Sequence, residues 1–204
     1  MADFTRRSMT AAHFLACTHA RGAILRCVPR GGSVLDFGCR SSRLAANLAQ
    51  HGYSVAVHDR DAKAKQAQLG NAAMDGVDLE WSDSPLDGSR LFDGVTALWV
   101  LQHNGQDEIE RLATAINAAL KPGGVFVYVA SLAPIGHSFW QSERADPQWV
   151  LDMPTHQALV LGKFPTVSVH PFWYVHNTPH GEFVEAGDPR ANAIAAVCRK
   201  CGAQ

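Results

Sequence analysis

The run Val34-Leu35-Asp36-Phe37-Gly38-Cys39-Arg40-Ser41-Ser42-Arg43-Leu44 decides the fold. An apolar start, a carboxylate, a glycine and small polar residues, followed by Leu44-Ala45-Ala46, read as a strand turning sharply into a helix. In a doubly wound α/β sheet such a turn sits at the carboxyl end of the first strand, where backbone N–H groups can approach a nucleotide-like ligand. Outward from it, β-branched or aromatic runs at residues 33–37, 53–58, 77–81, 92–100 and 124–131 alternate with helical spacing at 44–50, 62–74 and 107–120. That alternation is the pattern of βαβ units around a parallel sheet. Ile109, Leu112, Ile116 and Leu120 share one helical face, and Gly52 and Pro122-Gly123 punctuate helix ends. A helix over 10–27 precedes the sheet.

Beyond residue 131 the texture changes. Residues 133–204 hold 8 of the 17 Phe, Trp and Tyr but only 5 of the 18 Lys and Arg, so this segment offers apolar surface more than charge. Its spacing predicts a helix over 147–161, strands over 166–175 and 191–199, and a turn-rich link at 177–189.

Composition narrows the function classes. With 204 residues, 47% hydrophobic and 18% charged, the chain has enough apolar content for one folded domain and too much for disorder. A net charge of -1 gives no electrostatic reason to expect nucleic acid or an anionic membrane as partner. Arg6 and Arg7 precede an apolar stretch, but His13, His19 and Arg21 interrupt it, which predicts an amphipathic helix and not a leader or span. Five cysteines, an odd number in a chain of this size, fit a reducing cytoplasm. Cys198 and Cys201 form a lone CxxC, and His170, His176 and His180 are spaced around prolines without a Cys or carboxylate set, so no metal is expected.

The turn after the first strand resembles the first motif of the class I S-adenosylmethionine-dependent methyltransferases, a strand ending in an acid and then Gly-x-Gly-x-Gly. Further motifs follow in that family's order: Val55-Ala56-Val57-His58-Asp59, Leu79-Glu80-Trp81-Ser82-Asp83, the run from Phe92-Asp93-Gly94-Val95 to Leu101-Gln102-His103, and Leu120-Lys121-Pro122-Gly123-Gly124. The resemblance implies a three-layer α/β/α sandwich with seven strands in the order 3-2-1-4-5-7-6, the last antiparallel. It also implies one methyltransferase domain over 1–204, with an N-terminal helix to residue 30, a cofactor-binding core at 31–131, and a substrate cover plus the last two strands at 132–204.

The same resemblance implies the site. S-adenosylmethionine would be held by Asp36, Gly38 and Arg40 at the methionine end, with Gln102 nearby. Asp59 and Arg60 fall at the ribose, and Trp81, Ser82 and Asp83 at the adenine. Trp99 points either into the core or toward the cofactor. His103 is a candidate base at the transferred methyl, with His137 as its rival. Phe139, Trp140 and Trp149 lie where the family builds its cover over a small-molecule acceptor, whose O, N or C nucleophile displaces S-adenosylhomocysteine in an SN2 step.

The pattern departs from the family where Arg40 and Ser42 replace the second and third glycines. Arg40 then either turns away, or pairs with a ligand carboxylate, or weakens the site. The last case would make the chain a noncatalytic binding or regulatory protein on a methyltransferase fold. A nicotinamide site fits less well, since Gly-x-Gly-x-x-Gly fails at two of its three glycines.

Overall fold

The computed structural model describes residues 11–141, 147–175, 178 and 180–202. In chain order the elements are α1 (Ala11–Cys27), β1 (Ser33–Phe37), α2 (Leu44–Gln50), β2 (Ser54–His58), α3 (Ala62–Asp75), β3 (Glu80–Trp81) and β4 (Phe92–Leu98). A 3₁₀ turn (Leu101–His103), α4 (Gln106–Ala119), β5 (Leu120–Ala133), β6 (Phe139–Gln141) and β7 (Gln148–Asp152) follow. The chain closes with α5 (Met153–Leu159), β8 (Thr166–Tyr174), β9 (Gly181–Phe183) and β10 (Ala193–Arg199). Arg6, Arg7, Thr10, His176, Asn177 and Pro179, which enter the sequence expectations above, lie outside the described residues.

The strands run in the order β3-β2-β1-β4-β5-β10-β8-β9, with β10 antiparallel to both neighbours. Reading β8 and β10 as the sixth and seventh strands reproduces the expected order, and the short β9, between them in sequence, is one strand more at the edge. β5 shows how the layers form. Phe126, Tyr128 and Ala130 face the cluster containing Ile109, Ala113 and Ile116 of α4, whereas Val125 and Val127 face the one containing Ile24 of α1 and Leu48 of α2. A strand buried on both faces reads as a continuous apolar run, as Val125-Phe126-Val127-Tyr128-Val129 does. α1 approaches the sheet closely because its buried face is mostly alanine and because Gly94 leaves room. A Cβ there would lie 2.9 Å from Ile24 Cδ1 and 3.0 Å from Val28 Cγ2.

Two expectations need correction. Residues 147–161 do not form one helix: β7 occupies Gln148–Asp152 and only Met153–Leu159 is helical. The apolar residues of β7 pair rather than coil, with Leu151 opposite Leu132 of β5 and Trp149 opposite Trp140 of β6. The helix begins where its signals lie, at Asp152, whose side chain accepts from Thr155 N at 3.0 Å, with proline in the first turn. The link at 177–189 also contains β9, which pairs with β8.

The Lys121-Pro122-Gly123-Gly124 segment is pinned to the start of β4. Asp93 Oδ2 accepts from Lys121 Nζ at 2.7 Å, Ser33 N at 2.8 Å and Ser33 Oγ at 2.9 Å, joining β1, β4 and β5 at the end away from the Gly38 turn. Burial works to raise the Asp93 pKa, and the Lys121 ammonium and Ser33 donors outweigh it, holding the carboxyl below its ordinary value. Asp93→Ala should therefore cost about 1–3 kcal/mol of unfolding free energy in urea titration. Because this is a carboxylate with a depressed folded pKa, the wild-type advantage should be present above about pH 4 and disappear as pH falls through the folded value.

Candidate active site

A cleft of about 400 Å³ opens at the carboxyl ends of β1, β2 and β4. From the first crossover it takes Asp36, Gly38, Cys39, Arg40 and Ser42, and from the end of β2 it takes His58, Asp59, Arg60 and Asp61. Leu98, Trp99, Val100 and His103 line it from β4 and the following turn. Asn104 follows that turn, Glu108 and Leu112 lie along α4, and His13 reaches the cleft from α1.

The turn after β1 explains its own sequence. Gly38 has φ 74°, and a Cβ on it would overlap Val100 Cγ2, so both conformation and space require glycine. Gly38 N and Cys39 N donate to His58 O at 2.7 and 3.0 Å. Arg40, at the family's second glycine, has φ 42°, a left-handed conformation that costs a residue with a Cβ roughly 1 kcal/mol or more. The loop holds it with two straps. Asp59 Oδ2 accepts from Arg40 N at 2.9 Å while Oδ1 accepts from Asp61 N at 2.8 Å. Gln68 of α3, fully buried, extends Nε2 to Arg40 O at 3.0 Å, Ser42 O at 2.9 Å and Cys39 O at 3.2 Å.

Asp36 is buried beside this turn. One carboxylate oxygen, Oδ1, accepts from Thr96 Oγ1 at 2.7 Å, and Oδ2 is buried with no partner. Burial pushes its pKa up to about 6; the Thr96 hydrogen bond opposes this and the Asp59 charge adds to it. An unanswered carboxylate oxygen at the wall of a cleft is a place for a cationic group. Trp99 is a second backbone outlier, at φ 61°, with its ring edge-on to Phe172 and Tyr174 at 6.0 and 5.7 Å between centroids. Bulky residues persist there only when packing over-determines them.

Of the expected site residues, Asp36, Gly38, Arg40, Asp59, Arg60, Trp99 and His103 meet in the cleft. His103 Nδ1 lies 2.8 Å from Pro147 O; a carbonyl only accepts, so the neutral ring carries its proton on Nδ1 and its lone pair on Nε2. The structure does not bring Gln102 to the cleft. It is buried, with Oε1 accepting from Ser131 N at 2.9 Å and Nε2 bonded to Gln148, because the 3₁₀ turn rotates it inward to join β5 and β7. Trp81, Ser82 and Asp83 also stay outside the lining. Trp81 Nε1 donates to Asp83 Oδ1 at 2.7 Å, and Ser82 touches the site through its carbonyl, which binds His58 Nδ1 at 2.9 Å. His137 is exposed in a turn closed onto Pro134 O, and Phe139 and Trp140 are exposed on the β6–β7 hairpin, with Trp140 against Trp149 at 5.6 Å. None of these four lines the cleft.

Sequence reasoning missed His13, His58, Asp61, Gln68, Asn104 and Glu108. His58 directly precedes Asp59 and stacks on Phe37 at 5.0 Å, so its position was readable. Gln68 lies four residues from both Ala64 and Ala72, the other buried positions of α3, and that stripe marked it. Nothing local singles out His13, which reaches the cleft only because α1 crosses the sheet. Among the described residues, no group of three or more potential metal ligands gathers, and no helix is long and apolar enough to cross a membrane.

A crossover glycine turn, a carboxylate after the second strand and the end of the fourth strand, meeting in one cleft of a doubly wound sheet, define a Rossmann-like protein of the methyltransferase type. The chain belongs to the methyltransferase domain family, whose pattern it matches over residues 11–167. No curated protein matches it in sequence. Among solved structures, the 1,6-didemethyltoxoflavin N1-methyltransferase of Burkholderia thailandensis, with 1,6-didemethyltoxoflavin and S-adenosylhomocysteine bound, superposes with a TM-score of 0.71. At 20% identity the match covers 95% of this chain and 80% of that one. A S-adenosylmethionine-dependent methyltransferase from Methanosarcina mazei gives a TM-score of 0.67 at 17% identity over 88% of this chain and 97% of that one. The cyclase SpnF gives 0.69 at 12% identity over 98% and 86%.

Gln68→Leu should remove the donor to three loop carbonyls and cost about 1–3 kcal/mol in chemical denaturation. Arg40→Gly should go the other way on stability, by roughly 1 kcal/mol, as left-handed strain is relieved. A lower stability for Arg40→Gly would mean that the arginine side chain, not the loop backbone, carries the interaction.

Proposed function

We propose that the protein transfers a methyl group from S-adenosylmethionine to a nucleophile of a small molecule. The observation that carries this reading is the unpartnered, buried Asp36 Oδ2 beside the Gly38 turn, in the same cleft as Asp59. When bound, S-adenosylmethionine supplies an electrophilic methyl on a sulfonium, displaced in line by an O, N or C nucleophile with S-adenosylhomocysteine as the leaving group.

The residues divide that task. Asp36 answers the ligand's ammonium, Gly38 keeps the backbone clear for close approach, and Asp59, whose oxygens each retain a lone pair after bonding Arg40 N and Asp61 N, takes the ribose hydroxyls. Arg60 lies beside that carboxylate, and Trp99 walls the apolar side. His103, with its lone pair on Nε2, accepts a proton from an acceptor that carries one. Alignment and exclusion of water supply the remainder of the rate. The B. thailandensis relative, crystallised with 1,6-didemethyltoxoflavin, supports a small-molecule substrate. Residues 31–131 hold the cofactor in this reading. The β6–β7 hairpin, with Phe139, Trp140 and Trp149, stands as an outer cover instead of a wall.

Arg40 at φ 42°, together with the fold's occurrence in a cyclase, favours one rival: a methyltransferase fold that has lost methyl transfer. Calorimetry with S-adenosylhomocysteine separates them, since no binding at millimolar ligand supports the rival. Asp59→Ala should weaken that binding by about 1.5–3 kcal/mol, the scale of hydrogen bonds to a charged group. The Asp36 pKa is raised, so in the ligand-free protein ionising it is unfavourable, and its contribution to stability declines as pH rises from about 4 through 6. A ligand ammonium favours the ionised form. Affinity should therefore tighten as pH rises through about 6 in the wild type and stay level across that range in Asp36→Asn, measured by calorimetry at several pH values.

A further inference from the structure

The cleft has a wall that the cofactor reading leaves unused, the N-terminal end of α1. His13 lines the cleft there and is half-buried. One turn on, Ala16 packs into the cluster with Phe172 and Ala193, against which Leu15, Trp99 and Tyr174 rest. Cys17, on the same side of the helix, is near enough to Asp36 for that carboxylate to help raise its thiol pKa to about 12, after burial. His13 therefore shares with Asp36 and Trp99 a cleft that Asn104 of the turn before α4 and Glu108 and Leu112 of α4 also line. The helix start is tied down by Ala11 N donating to Thr178 O at 2.9 Å.

Burial lowers the His13 pKa below its ordinary value, so near neutral pH the ring is an uncharged imidazole, with one donor and one acceptor nitrogen. We propose that His13 is a specificity residue of the methyl-acceptor site: it hydrogen-bonds an uncharged acceptor bearing a ring nitrogen or hydroxyl, held between α1 and Trp99. This rests on the methyltransferase reading. The chemistry follows from the wall itself. An uncharged imidazole beside an indole offers a hydrogen bond and apolar contact, and neither group neutralises a charged acceptor. Trp99, backed by Phe172 and Tyr174, adds an aromatic ring to the same lining, where a ring acceptor finds apolar contact.

The test uses the full chain with methyl-labelled S-adenosylmethionine and a panel of uncharged phenols and ring N–H heterocycles, set against primary alkylamines and aliphatic carboxylates. Label should pass to uncharged ring acceptors and not to the charged set. His13→Phe, which keeps bulk and removes the hydrogen bond, should raise the acceptor KM roughly three- to tenfold while kcat and the S-adenosylhomocysteine Kd stay within about twofold. His13→Asn, which restores a donor and acceptor, should recover part of the loss. A His13→Phe enzyme with unchanged acceptor KM, or with a weakened S-adenosylhomocysteine Kd to match, overturns the proposal, as does transfer confined to charged acceptors or to no member of the panel. Failure of the wild type to bind S-adenosylhomocysteine at all falls instead on the methyltransferase reading.

Discussion

The site depends on how the turn after β1 is held. In a turn built from three glycines, the backbone reaches left-handed conformations without steric cost. Here only Gly38 remains, and Arg40 occupies φ 42°. Two side chains and one backbone carbonyl compensate: Asp59 takes the Arg40 N–H, the buried Gln68 amide spans the carbonyls of Cys39, Arg40 and Ser42, and His58 O takes the two N–H groups before them. Each such bond is worth about 0.5–1.5 kcal/mol net, so together they exceed the roughly 1 kcal/mol of strain. Asp59 therefore shapes the turn and lines the cleft at once, which couples the state of the loop to the shape of the cleft.

The first half of the chain was legible because its signals are local. Each parallel strand carries its own apolar run, and each crossover starts with a turn residue whose chemistry is written in sequence, so β1 and α2 fall where the pattern places them. Lys121-Pro122-Gly123-Gly124 was legible as a motif, but its cause is distant: Lys121 reaches Asp93, 28 residues earlier. β7 was misread because Trp149-Val150-Leu151 fits a buried helix or a buried strand equally well. Pairing with β5 and β6, invisible to local periodicity, decided it.

In the candidate site the same division holds. Asp36, Gly38 and Asp59 came from motif order. Gln102 was misplaced because a one-residue change of phase in the 3₁₀ turn sends His103 to the cleft and Gln102 into the interior, to Ser131 and Gln148. His13 and Gln68 act on the site from helices that reach it by tertiary packing alone. Their spacing reports burial, and only the fold says what they are buried against.

Three aromatic residues of the last third, Phe164, Phe172 and Tyr174, pack against the sheet and lie outside the cleft lining. Phe172 is fully buried, and with Tyr174 it meets Trp99 edge-on; Phe164 packs on Phe126 of β5 from the other face. These rings lie on or beside β8, whose place in the sheet is two strands from β5, so they fill the seam where the antiparallel strands join the parallel core. That seam backs Trp99, and Trp99 lines the cleft. A left-handed tryptophan costs about 1–3 kcal/mol, and the packing of Phe172 and Tyr174 is what offsets it. The C-terminal strands thus reach the chemistry by fixing one ring from behind. They do so without contributing a lining residue of their own.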